Sequence, residues 1–451
     1  MRKIIILLFF ALVLSGAVEK PSIELKTVYE KTFDDTIVDM IFDTVTVTLE
    51  EARAIGWRVE LFSAEEKAKG KVTILYPCVL ITKDEIRFLD VKGKKKKSIK
   101  RMIEGVKWEG KGGIFTGKGL IKVRKSKNGE YLAVAIPRGG SVLGEGIKGD
   151  LVMYRKDGKE MWRLADVYLS DGYVTPSPDG RYAIALPPEE YPAGAPAFYS
   201  KEGMSYLKVK EWKNGWKRGY AVGDFDFSDD GRYLVIGIYN FPVRDSGFVI
   251  LFDSKGREIW EICTGKGVSY VRISNSGKYI AVVATDRGEN ADEDIMIFSK
   301  KGSLLWEKNF SHWDGHTLMF DPNKDKLCIT WYHGKVRLRI YETKTGKELW
   351  KFYSEKMLKD ISFVDVLFSK SSLYLFLIGS GGSKDALYTL SLDGKILQKT
   401  FYKNCPFTMQ NYISEGNTMG IQIDKWEKDM LLMFAGKTLT VKVIKEARNK
   451  E

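Results

Sequence analysis

Apolar residues come in short runs rich in β-branched and aromatic side chains, such as Tyr233-Leu234-Val235-Ile236-Gly237-Ile238 and Tyr279-Ile280-Ala281-Val282-Val283. Runs of this length without a helical period predict β-strands. The polar breaks between them repeat. One phrase is Ser, two residues, Gly, one residue and Tyr, at Ser126-Lys127-Asn128-Gly129-Glu130-Tyr131, Ser177-Pro178-Asp179-Gly180-Arg181-Tyr182, Ser228-Asp229-Asp230-Gly231-Arg232-Tyr233 and Ser274-Asn275-Ser276-Gly277-Lys278-Tyr279. Weaker copies begin at Asp321, Ser369 and Ser414. A second phrase is a turn Gly with Trp four residues on, as in Gly158 to Trp162, Gly256 to Trp260, Gly302 to Trp306 and Gly346 to Trp350. Degenerate copies turn at Gly93, Gly203, Gly394 and Gly436. Gly supplies a positive φ at low cost, and Ser, Asp and Asn close local hydrogen bonds, so both phrases read as hairpin turns. Each unit of about 48 residues then holds four strands. One such sheet cannot bury both faces alone, and radial stacking solves that. The pattern predicts an all-β chain: a β-propeller of four-stranded blades. Eight turns of the second kind point to eight blades, with seven plus an N-terminal hairpin as the alternative.

The segment Tyr341-Glu342-Thr343-Lys344-Thr345-Gly346-Lys347-Glu348-Leu349-Trp350 resembles the tryptophan-docking motif of quinoprotein-type (PQQ-like) propellers. The repeats as a whole are similar to PQQ-like and WD-repeat-like β-propellers of the bacterial envelope. The resemblance spans roughly residues 72 to 445 and implies the fold, with envelope scaffolds of the outer-membrane-assembly type among the functions it suggests. Such scaffolds usually carry a lipid anchor, and no Cys lies near the N-terminus to bear one. Quinone dehydrogenases of that family use adjacent cysteines. Cys78, Cys263, Cys328 and Cys405 are scattered, so PQQ is not carried over with the fold. The four thiols are expected to be buried and to pack as small apolar groups.

Length alone, at about 150 residues per domain, would suggest about three domains for 451 residues. The repeat replaces that count with one propeller over residues 71–446, a cap segment over 18–70, a tail over 447–451 and a signal peptide over 1–17. Arg2 and Lys3 precede an apolar run from Ile4 to Leu14 and then Ser15-Gly16-Ala17, the pattern of a cleaved secretory signal. The mature chain is therefore expected to be periplasmic or secreted, without a transmembrane helix. Within the cap, Thr48-Leu49-Glu50-Glu51 reads as a capping box opening a short helix that Gly56 ends. The formal charge of +13 falls to +11 once Arg2 and Lys3 leave, which permits an anionic surface as partner, whereas export disfavours nucleic acid.

In a propeller the links between second and third strands share one face with the sheet-to-sheet links, and both Gly turns fall on the other. Here the turns are uniform, while the links 137–149, 187–196, 239–247, 285–294 and 379–385 differ widely. The link face is therefore the candidate binding face. Tyr191 lies in a Pro-rich link able to cover the channel mouth, and Trp313 and Tyr332 join it as partner-binding candidates. All three His fall on this face. His312, Asp314, His316 and His333 form a candidate divalent-metal or proton-transfer cluster. The acidic loop Asp286 to Asp294 is rich in oxygen ligands but lacks calcium-loop spacing. Lys94, Lys95, Lys96, Lys97, Lys100 and Arg101 form the densest basic patch, read either as an anionic contact or as protection of an exposed strand edge.

No nucleophile elbow, phosphate-binding loop or supported Cys–His pair is present. The leading reading is an exported, non-enzymatic propeller without a cofactor, holding a protein, peptide or glycan partner of the cell envelope on its link face. The alternative is a metal-assisted hydrolase or lyase built on the His cluster.

Overall fold

The computed structural model describes residues 23–34, 37–110, 113–141, 147–169, 174–185, 196–206, 220–240, 246–285, 292–310, 316–331, 336–353, 362–368, 374–381, 384–403, 419–423, 430–435 and 438–446. Their strands form eight sheets. Seven lie in chain order, between residues 37–100, 102–168, 174–206, 220–263, 267–310, 316–353 and 362–403. The eighth joins Met419–Ile423, Met430–Ala435 and Thr438–Glu446 to Ile23–Thr32, the first described strand of the chain. Ile23–Thr32 lies antiparallel to Thr438–Glu446, from Ile23 opposite Glu446 to Thr32 opposite Thr438. The chain is a β-propeller.

The cores lie between sheets, and that explains why the strands read as continuous apolar runs. In Tyr279–Thr285 of the fifth sheet, Ile280, Val282 and Ala284 pack with Val235, Val249 and Leu251 of the fourth. Ala281 and Val283 pack instead with Leu327 and Ile329 of the sixth. Alternate residues thus serve opposite interfaces, and both sets are apolar. Each fully buried Val or Ile contributes about 1.5–3 kcal/mol.

The described strands before residue 49 belong to the sheets themselves, within the segment 18–70 expected as a cap. Ile23–Thr32 closes the eighth sheet, and Ile37–Thr48 is a full strand of the first, paired with Lys71–Thr82. The pairing of Ile23–Thr32 joins residues at opposite ends of the sequence, for which no local pattern exists. Only the link 49–70 stands apart. It holds helix α1 (Leu49–Ala54) and helix α2 (Ala64–Ala68). The capping box at Thr48 is present: Glu51 N donates to Thr48 Oγ1 at 3.1 Å and Thr48 N to Glu51 Oε2 at 2.8 Å. Ser63 and Glu66 repeat the device for α2. Trp57, Val59 and Phe62 from this link fill the seam between the eighth and first sheets, where Trp57 stacks on Tyr29 at 5.3 Å. The helical link occupies the place of the Ser-Gly turn that the first unit lacks. Among the described residues no helix is long and apolar enough to cross a membrane.

Cys78 and Cys328 are buried as expected, but Cys263 is exposed, because it ends an outer strand with one side toward solvent. Cys78 Sγ donates to Ile41 O at 3.3 Å, and burial pushes its pKa from 9.0 to about 12. Burial likewise raises Tyr29, Tyr76 and Tyr388 from 10.0 to about 12. The folded state holds these protons more tightly than the unfolded chain. Their contribution is complete below pH 9 and is lost as pH rises from 9 through about 12. The urea midpoint is accordingly expected to be flat from about pH 7 to pH 9 and to fall steeply above. A midpoint unchanged up to about pH 11 would contradict this burial.

Candidate functional site

The turn face is built by repetition. In the third sheet Ser177 Oγ donates to Asp179 Oδ1 at 2.7 Å, Tyr182 N to Ser177 Oγ at 3.2 Å and Gly180 N to Ser177 O at 3.0 Å. Gly180 takes φ +66°, a conformation that favours glycine. The same Ser-to-Tyr backbone closure recurs at Ser126, Ser228 and Ser274. These turns also lean on their neighbours. Tyr131 packs on Gly180 and Tyr233 on Gly277 of the following sheet, and Tyr182 Oη donates to Gly231 O at 3.2 Å.

The Trp phrase works in parallel. One residue before each Trp the outer strand carries an unpaired extra residue: Met161, Ile259, Leu305 and Leu349. Such a bulge re-aims the next side chain. Each indole then reaches the following sheet: Trp162 Nε1 donates to Gly180 O at 2.9 Å, Trp260 to Lys300 O at 2.9 Å, Trp306 to Thr343 O at 2.6 Å and Trp350 to Leu392 O. A Cβ on Gly346 would stand 2.8 Å from the Trp306 indole, so only glycine admits this approach unstrained.

Lys97 occupies the corresponding position in the first sheet, after the bulge at Lys96. Its ammonium donates to Gly158 O of the second sheet at 3.2 Å and lies 4.4 Å from the Tyr154 ring centroid. Lys97 thus docks onto the next sheet. Lys95 faces Glu85 at 3.6 Å, and Arg101 Nη1 donates to Thr82 O at 2.7 Å. Lys94, Lys96 and Lys100 are exposed along the outer edge formed by Lys95–Lys100. Lys97→Ala is expected to cost about 1–2 kcal/mol through the lost cation–π contact and hydrogen bond. Lys96→Ala should stay within about 0.5 kcal/mol. Paired urea denaturation curves check this, and equal losses would remove Lys97 from the dock.

At the turn face Lys127 bridges sheets that are not neighbours. It leaves the second sheet and reaches Asp226 of the fourth at 3.0 Å, Phe227 O at 2.8 Å and Ile273 O of the fifth at 3.5 Å. Above it, the inner strands of the fourth and fifth sheets are tied by Asp224 and Asp226, which accept from the N–H groups of Val271 and Ile273 at 3.2 and 3.0 Å. Arg272 Nη1 meets Asp224 at 2.6 Å. Burial opposes the charge of Arg272, yet Asp224, Tyr270 and Asp226 together raise its pKa. Asp39 and Lys125 make a similar tie at 2.6 Å between the first and second sheets.

The link face carries the variation. Thr264 N donates to Gly247 O at 2.9 Å and Leu169 N to Ile147 O at 2.6 Å, so sheet-to-sheet links and second-to-third links do share it. Tyr191, His312, Trp313, Asp314, Tyr332 and His333 lie outside the described residues, as do Asp286, Glu289 and Asn290. His316 opens the strand His316–Phe320, its backbone opposite that of Trp331. Asp294 is committed to Lys266 at 2.7 Å and to Asn309 at 2.7 Å. The described cysteines belong to the first, fourth and sixth sheets.

Sequence reasoning missed one element on this face. Met102–Gly110 and Gly113–Leu120 form a hairpin inserted between the first sheet and the inner strand of the second. Ile121 N donates to Arg101 O at 2.6 Å and Arg101 N to Asp84 O at 2.7 Å, which close the hairpin's base on a link of the first sheet. Met102–Gly110 then pairs parallel with Tyr131–Ser141 at Lys107–Gly139, giving a six-stranded sheet. A Cβ on Gly139 would stand 2.8 Å from Lys107 O, so glycine permits the pairing. The signal available was Gly110-Lys111-Gly112-Gly113 between two apolar-containing runs.

No protein-family model matches the chain, and no curated protein matches it. Solved structures do. The Dos1 propeller aligns with TM-score 0.51 at 10% identity, over 93% of this chain and 95% of that one. BamB from Moraxella catarrhalis aligns with TM-score 0.47 at 11% identity, over 93% and 100%. The C-terminal WD40 domain of Sif2 aligns with TM-score 0.46 at 11% identity, over 93% and 98%. The likeness is one of fold, that of a β-propeller.

Proposed function

We propose that the chain is an exported, eight-bladed propeller acting as a non-enzymatic scaffold that holds a protein partner on its link face. The carrying observation is the contrast between faces. Turn residues are spent on sheet-to-sheet docking through Tyr131, Tyr233, Trp162, Trp260, Trp306 and Trp350, while the links differ and one sheet adds a hairpin. Rigid scaffold beneath varied loops is the usual arrangement of a recognition surface. The propeller neighbours support this reading through the shared fold. Eight sheets support the blade number, and the apolar run from Ile4 to Leu14 supports export.

A photo-reactive residue replacing Lys83 or Lys148 on the link face, or Lys255 or Lys301 on the turn face, tests the scaffold in cells of the source organism. Protein adducts from the link positions alone are the expected result. Adducts spread equally over both faces, or none, would refute it. N-terminal sequencing of the mature protein tests export, with Val18 as the expected first residue.

A further inference from the structure

We infer that the edge strand Gly113–Leu120 of the inserted hairpin takes up an extended, acidic segment of a partner protein as an added β-strand. This rests on the scaffold reading and names the partner's chemistry. Among the described residues Gly113–Leu120 is the last strand in its sheet order, paired on one side with Met102–Gly110. A strand edge offers a row of backbone donors and acceptors to another chain unless it is protected. The outer edges of six sheets are protected by bulges at Lys96, Met161, Ile259, Leu305, Leu349 and Leu397. The first sheet adds four Lys within Lys95–Lys100. In the hairpin the register shifts where Glu104 and Gly105 stand against Lys118, so the one extra residue lies on Met102–Gly110 and not on the edge strand Gly113–Leu120.

The surroundings select the occupant. Met102 and Leu120 stand opposite each other at the hairpin base, 44% and 38% exposed. Lys107 and Lys148 both lie opposite Gly139 in one row across the sheet, and both are exposed. Lys118 on the edge strand is 67% exposed, and Arg138 is 60% exposed. Among the described residues Lys118 is offset by Glu104 at 3.4 Å and Arg138 by Asp150 at 2.7 Å, which leaves Lys107 and Lys148 as the exposed cations that carry the charge. Carboxylates alternating with apolar residues match this combination of charge, exposed Met102 and Leu120, and open backbone.

The test uses a fluorescein-labelled peptide of eight alternating Glu and Val residues, the length of Gly113–Leu120, read by anisotropy against the full chain. Binding that weakens with added salt is expected, and N-methylation of alternate peptide nitrogens should weaken it about tenfold. Lys107→Glu with Lys118→Glu should weaken it by about the same factor. The methylated peptide leaves the protein untouched, so the result stands even if the double variant misfolds. Equal affinity for both peptides would overturn strand addition. No binding at about 1 mM peptide would do so too, as would a dimer of this chain cross-linked through its own hairpins. Partner adducts at Lys83 or Lys148 that survive the double variant would overturn this inference alone and leave the scaffold standing.

Discussion

Deleting residues 23–34 is expected to abolish cooperative folding. The deletion leaves Thr438–Glu446 as an open edge and removes Val28 and Tyr29 from the seam with Trp57, Phe62 and Met40. Losing those two side chains costs about 1.5–3 kcal/mol each before any backbone pairing is counted. The newly exposed partners and the register of Ile23–Thr32 add to this, bringing the loss into the range of a whole domain's stability, about 5–15 kcal/mol. Size-exclusion chromatography should show aggregate, and urea unfolding followed by Trp fluorescence should show a broad, early transition. Tyr29→Ala keeps the strand and should lose about 3–5 kcal/mol with a single transition retained. A deletion variant with the full chain's urea midpoint would show that closure is not made by Ile23–Thr32.

The second large effect is expected from Gly346→Ala. Gly346 has φ +69°, and its added Cβ would meet the Trp306 indole at 2.8 Å. The backbone cost is about 1–2 kcal/mol and the overpacking about 1–3 kcal/mol more. Gly265 is the internal control, with φ +72° and open space around its Cβ position. Gly265→Ala should lose the backbone share alone. The gap between the two variants in urea denaturation measures the indole contact, and identical losses would mean that the contact contributes nothing.

Local chemistry was legible. Ser177, Asp179, Gly180 and Tyr182 are close in sequence and complete their turn within themselves, so the phrase announced the geometry. The Trp phrase was visible as a repeat because the bulge before Trp260 and Trp306 recurs at a constant offset from the turn Gly. What stayed hidden depends on distance or on substitution. Ile23–Thr32 finds Thr438–Glu446 only in three dimensions. Lys97 fills the Trp position with a different residue type, and in the sequence it was submerged in a run of lysines. Lys127 sits inside a recognised turn, yet its partner Asp226 belongs to a sheet two places further on. Of the candidate site, the choice of link face came from comparing loop lengths. The hairpin escaped because its strands interrupt the repeat instead of following it.

The indole contacts all point the same way round the ring, from Trp162 to the third sheet through Trp350 to the seventh. Each sheet that carries such an indole is therefore a tenant of the one after it, and damage should travel backwards. Loosening the Gly346 turn in the sixth sheet would release Trp306 of the fifth, while the seventh keeps its own lodger, Trp350. At the seam the arrangement changes hands to lysine, with Lys31 against Gly93 and Lys97 against Gly158. A ring with a direction thus has a first and a last joint, and an ammonium group lies at each.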